Sequence, residues 1–140
     1  MSVLGLAFVM NLSGQTASLG FALASAGGMF VLFSPVIGWV GVAITGSDTS
    51  SNSLFGLLQV TAAGHSGLSP VLAAATNSSA GVLGKMLSPQ NLAVAAAAVG
   101  MSGKEGDIFR KLLGWSLGLL VVFIGLVWLQ STPILGWMVP

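Results

Sequence analysis

Through its first hundred residues the chain carries one acidic and one basic side chain, Asp48 and Lys85. So few charges cannot keep a water-facing surface wet, because a soluble domain carries roughly a quarter Asp, Glu, Lys and Arg. Here charged residues make up 5% of 140, hydrophobic residues 54%, and the mean hydropathy is +0.97. Lipid is therefore the solvent for most of the chain. The expected fold is all-α, a polytopic membrane protein built as a helical bundle.

The same scarcity excludes several function classes. A net charge of +1 gives no dense basic patch for nucleic acid. Without cysteine there are no disulfides, thiolate metal sites or cysteine nucleophiles. One histidine and three acids argue against a dedicated metal site, and no cofactor is implied. The apolar start, Met1 to Leu12, lacks the basic n-region of a cleavable signal. Twenty glycines suit a bundle whose helices approach closely.

A spanning helix needs about 20 apolar residues. Leu112 to Leu129 meets that without a charge and reads as the last span, 112–129. Ala17 to Phe33 reads as another, 17–33, stopped by Ser34-Pro35. A first span over 1–14 meets a polar break at Asn11-Leu12-Ser13-Gly14.

The middle is organised differently. Val36 to Ile44 and Leu54 to Ala63 are each about half a span long. Between them Thr45 to Ser53 is polar apart from glycine, so 36–63 reads as a re-entrant hairpin with a polar tip. Val71 to Ala75 and Leu92 to Val99 flank Thr76 to Gly81 and Gly84 to Asn91, so 70–101 reads as an interrupted helix, unwound near mid-membrane. The competing reading makes both polar segments ordinary wet loops between short helices. Half-length helices span poorly, which favours the re-entrant form. Irregular backbone at membrane depth survives only where protein or a wet cavity satisfies it, and substrates tend to sit there.

Lys104, Glu105, Asp107, Arg110 and Lys111 crowd the segment 102–111. Three basic residues in a short loop mark a cytoplasmic side, which sends the last span outward and places Pro140 outside. Trp115, Trp128 and Trp137 fall where interfacial anchors belong.

Asp48 lies among hydroxyl and amide side chains, and an acid at membrane depth is expensive enough to need a task such as proton relay. The alternative is that it caps the helix beginning near Leu54. Lys85 could pair with Asp48 or with a substrate carboxylate, or snorkel to the interface along its stem. Ser47, Thr49, Ser50, Ser51 and Asn52, with Thr76, Asn77, Ser78 and Ser79, supply compact donors and acceptors at half-helix ends. Free N–H groups there suit a small carboxylate. The plainer use of such residues is bridging between helices. Gly64-His65-Ser66-Gly67 resembles the serine motif of intramembrane proteases, but that chemistry needs a histidine from another helix, and His65 is the only one. An enzyme is not expected.

The stretches Gly38-Trp39-Val40-Gly41-Val42, Thr45 to Gly56 (TGSDTSSNSLFG) and Gly84 to Gln90 (GKMLSPQ) closely resemble the bacterial L-lactate permease family. Gly103 to Arg110 and the ending Gly136-Trp137-Met138-Val139-Pro140 are similar to its late loop and C-terminus. The resemblance implies a proton-coupled symporter for lactate and related 2-hydroxy acids such as glycolate, in the bacterial inner membrane. It also implies an inverted-repeat ion-transporter fold, of which this chain is the late part of the second repeat. Lactate, a proton, the bilayer and the N-terminal part of the permease are then its partners. Lactate would bind between the Ser47 to Ser53 tip and the Thr76 to Ser79 break, with Asp48 taking part in proton coupling and Asp48 and Lys85 as the charges for coupling or pairing. A different class of function is a truncated, transport-inactive structural membrane protein.

Overall fold

The computed structural model describes residues 2–139. Expectations ending on Met1 and on Pro140, the first span and the outward C-terminus, concern residues outside that range. Among the described residues the regular structure is helical: α1 Ser2–Leu12, α2 Gln15–Ala24, a 3-10 turn Gly27–Met29, α3 Phe30–Thr45, α4 Asp48–His65, α5 Pro70–Lys85, α6 Pro89–Ala98, α7 Glu105–Gln130 and a closing 3-10 turn Gly136–Met138.

Two stretches are long and apolar enough to cross a membrane, Gly27–Thr45 and Glu105–Gln130, with hydropathies of 1.9 and 2.4. A third crossing is possible in length if Val3–Leu12 and Gln15–Ala24, bent by 75° at the Ser13-Gly14 break, act as one. Large apolar side chains face outward throughout, Ile44, Trp115 and Val122 each more than 70% exposed. That arrangement suits lipid and not water.

The helix starts have local causes. Ser69 and Ser88 cap α5 and α6 by accepting from the N–H groups of Leu72 and Asn91, and a proline follows each cap at the first helical position, where its missing N–H costs nothing. The third Ser-Pro pair behaves differently. Pro35 lies buried inside α3, so the span does not stop at Ser34 but runs from Gly27 to Thr45, and the apolar stretch beginning at Ala17 instead breaks after Ala24. Prolines are tolerated in membrane helices where a neighbour satisfies the freed backbone. The carbonyl that Pro35 frees is that of Val31, four residues back; beside the proline, the Gln59 carboxamide of α4 donates to the Ser34 carbonyl at 2.8 Å.

Two further expectations are narrowed. Of the two polar stretches expected to interrupt 70–101 only Gly84 to Asn91 does so, since α5 is continuous from Pro70 to Lys85 and the break falls at Met86–Ser88. In the other stretch, Thr76 to Gly81, Asn77 and Ser78 find partners on α4, so the backbone has no reason to open. The polar tip expected over Thr45 to Ser53 is also narrower, a turn of two residues. Thr45 ends α3, Gly46 takes the left-handed conformation (φ 69°) that closes it, Ser47 caps α4, and Asp48 onward is helical. The acidic and basic residues from Glu105 to Lys111 also lie on α7, where Glu105 and Asp107 complement the positive helix end.

α3, α4 and α5 form the centre, with α2 against α4 and α7 against α3 and α5. Glycines set the spacing. A Cβ on Gly38 would strike the Asn77 backbone, one on Gly84 the Trp39 carbonyl, and one on Gly41 the Ser51 hydroxyl. Small residues let membrane helices approach this closely. Trp39 Nε1–H donates to Ser116 Oγ at 2.8 Å, and Ser116 Oγ–H donates to the Leu83 carbonyl at 2.7 Å, fastening α7 to both neighbours.

Candidate functional site

A polar seam runs between α4 and α5 inside this apolar bundle. Ser78 Oγ–H donates to Asp48 Oδ2 at 2.7 Å, and Asn52 Nδ2 donates to the same oxygen at 3.1 Å. Asn77 Nδ2 donates to Asn52 Oδ1 at 2.7 Å, and Gln59 Nε2 donates to Asn77 Oδ1 at 3.1 Å and to the Ser34 carbonyl. Asp48 is thereby linked through α5 and back through α4 to the Ser34 carbonyl of α3. Asn77 and Gln59 are fully buried, which makes each of these bonds costly to lose.

The seam is not fully satisfied. Asp48 Oδ1, Ser51 Oγ, Gln59 Oε1 and Ser34 Oγ are buried without a hydrogen-bond partner. Asp48 Oδ1 faces Gly81, where an added Cβ would sit 2.9 Å from it. One carboxylate oxygen thus accepts two bonds while the other is free and shielded.

The expected site residues divide by helix face. Asp48, Asn52, Asn77 and Ser78 come together in the seam. Ser51 is buried beside Gly41. Ser47 is the α4 cap, accepting from Ser50 N–H, so Asp48 is not the capping residue. Thr49 is exposed. Thr76 and Ser79 turn away from the seam and line a cavity of about 300 Å³ between α5 and α7. Lys85 is exposed at the last turn of α5, and among the described residues Asp48 is bonded to Asn52 and Ser78, not to an ammonium.

Gln59 and the Ser34 carbonyl were not among the expected residues. A signal for Gln59 was present: Asp48, Asn52 and Gln59 are spaced 4 and 7 apart, one face of a helix turning about 100° per residue. His65 and Ser66 give no nucleophile–base pair. The His65 ring lies against Phe21 at 4.4 Å, and Ser66 Oγ–H is directed at the carbonyls of Ala62 and Ala24.

A family model described as L-lactate permease matches residues 1–135. The chain is 54% identical over 139 residues to an L-lactate permease of Bacillus subtilis (strain 168), covering 99% of this chain and 24% of the relative. It is 49% identical over 138 residues to an L-lactate permease of Escherichia coli (strain K12), covering 99% of this chain and 25% of the relative. A glycolate permease of the same strain is 54% identical over 115 residues, 82% of this chain and 20% of that protein. The chain therefore spans about a quarter of the length of the curated relatives it matches. No solved structure matches it. With the match running over nearly every residue, this chain belongs to the L-lactate permease family.

Proposed function

We propose that the chain is a segment of a secondary active transporter that takes up L-lactate and related 2-hydroxy monocarboxylates with a proton, across the bacterial inner membrane. The observation that carries this reading is the Asp48 carboxylate in the seam. One of its oxygens is held by Ser78 and Asn52, and the other is buried and free. An ionisable group in a membrane bundle is retained at a cost, and proton exchange is the task its geometry permits. The names of the relatives, L-lactate and glycolate permeases, support the substrate class. The basic residues Lys104, Arg110 and Lys111 favour a cytoplasmic position for the start of α7, with its other end outside.

The inverted-repeat architecture belongs to this proposal as well, with the remainder of a permease supplying the facing half of the pathway. The test is Asp48→Asn in a full-length permease carrying this segment. Uptake driven by a proton gradient should be lost while exchange of labelled for unlabelled lactate persists. Gradient-driven uptake at the parent rate removes Asp48 from the mechanism.

A further inference from the structure

We infer that the cavity between α5 and α7 is the compartment that holds the 2-hydroxy acid, with Thr76, Ser79 and Gln130 as its hydrogen-bonding groups; this rests on the transporter reading above. Helix geometry provides the first argument. At about 100° per residue, Thr76 and Ser79 lie about 60° apart, on the side of α5 opposite the midpoint of Asn77 and Ser78. The four consecutive polar residues therefore serve two surfaces. Asn77 and Ser78 are used up by α4, whereas Thr76 and Ser79 face the cavity.

Thr76 is only 2% exposed, whereas Gln130 is half-buried and Ser79 is exposed, and none of the three side chains hydrogen-bonds to another described residue. Leu72, Phe123 and Leu126 complete the wall with apolar surface. About 300 Å³ is the lower end of ligand-pocket volumes, which suits a molecule of few heavy atoms. Thr76 and Ser79 offer hydroxyls from α5 and Gln130 a carboxamide from α7, interspersed with apolar carbon, a mixture that matches a small acid with a hydroxyl and a short alkyl end.

The charge balance connects the cavity to the seam. Among the described residues no Lys, Arg or His lines the cavity, so a carboxylate entering alone would bring a charge that nothing in the lining compensates. A proton taken up on the other face of α5, at Asp48, offsets that charge within the same helical unit. α5 touches both, and a shift of this one helix moves the Ser78–Asp48 bond and the Thr76 wall together.

The sequence has no cysteine, so single introduced thiols can be read without background. Ser79→Cys and Gln130→Cys are placed in the chain in lipid nanodiscs, and in an otherwise cysteine-free full-length permease carrying it. Alkylation by a small polar reagent is then timed with and without L-lactate. L-lactate should slow the reaction at both positions at least threefold, propionate should do so less, and a control thiol at the exposed Ser102 should be unaffected. Thr76→Val should raise the lactate concentration needed by about tenfold, the value of a hydrogen bond in a poorly solvated site. Unslowed alkylation at both thiols in the full-length protein, or equal slowing at Ser102, overturns the inference whatever the isolated chain does. Protection with proton-driven uptake absent leaves the compartment standing and removes the proton reading. Proton-driven uptake without protection does the reverse.

Discussion

Ser78 and Asp48 lie thirty positions apart in sequence and 2.7 Å apart in space, hydroxyl to carboxylate oxygen. The bond ties the middle of α5 to the first turn of α4, and Asn52 is the only other donor to Asp48 among the described residues. Ser78→Ala should therefore weaken the α4–α5 contact without removing it. A bond to a charged group is worth about 1.5–3 kcal/mol when buried. Asp48 is only partly buried, which lowers the expected loss to about 1 kcal/mol. Thermal unfolding in detergent should show a lower midpoint for Ser78→Ala and recovery in Ser78→Thr. Equal midpoints for the alanine variant and the parent would show that the bond contributes nothing.

Gln59 should be the most sensitive polar position in the bundle. It is fully buried and bridges two helices, donating to Asn77 Oδ1 and to the carbonyl before Pro35. Gln59→Leu keeps the approximate volume but strands Asn77 Oδ1, while the Ser34 carbonyl keeps its place in the α3 backbone ladder. An unpaired buried group costs about 1–3 kcal/mol, so a loss of at least about 1 kcal/mol is expected. Double substitution Gln59→Leu with Asn77→Leu should cost less than the sum of the single changes, because each single change strands the other's partner. Additive losses in denaturant unfolding would separate the two residues.

The glycine contacts predict opposite signs for the same chemical change. Gly81→Ala would place a Cβ 2.5 Å from Val42 Cγ2 and 2.9 Å from Asp48 Oδ1, and overpacking of this kind costs about 1–3 kcal/mol. Gly84→Ala should be worse, because the obstacle is the Trp39 backbone carbonyl and not the end of a side chain. Gly56→Ala meets nothing within 4 Å and sits inside α4, so it should be neutral or stabilising by up to about 1 kcal/mol. The ranking can be checked by melting the three variants side by side. A harmless Gly84→Ala would contradict the close approach of α3 and α5.

These contacts explain which parts of the molecule were legible in its residues. The membrane class followed from charge alone, since Asp48 and Lys85 stand by themselves for a hundred residues. The polar clusters at Ser47 to Ser53 and Thr76 to Ser79 also stood out, and Asn52, Asn77 and Ser78 do meet there with Asp48. Their backbone conformation was not legible. A polar run inside an apolar stretch looks like a break until a second polar run is known to face it. Asn77 and Ser78 remain helical because Asn52, Asp48 and Gln59 supply their partners from α4, a tertiary fact that local composition does not contain. Pro35 misled because proline is tolerated inside a membrane helix, and Ser34-Pro35 lies within α3 instead of ending a span. The two-sided character of α5 could have been read from helical spacing, but only once 70–85 was accepted as one uninterrupted helix.

Lys85 provides the last prediction, and it separates a coupling charge from an anchor. Its side chain is exposed at the final turn of α5, where a cation complements the negative helix end. Its backbone carbonyl accepts from the Asn91 carboxamide at 2.9 Å, a contact that any residue at this position would make. Lys85→Gln should therefore leave the seam intact and lower stability by only about 0.5 kcal/mol, the scale of a terminal charge–dipole interaction. Proton-driven lactate uptake by a full-length permease with this change should stay within about twofold of the parent, in contrast to the loss expected for Asp48→Asn. Lys85→Glu places a negative charge at the same negative helix end and should cost more than Lys85→Gln in a melt, again without abolishing uptake. A Lys85→Gln protein that melts normally but cannot accumulate lactate would make the ammonium part of the transport cycle. Its partner would then be the substrate carboxylate, because Asp48 is already bonded to Ser78 and Asn52.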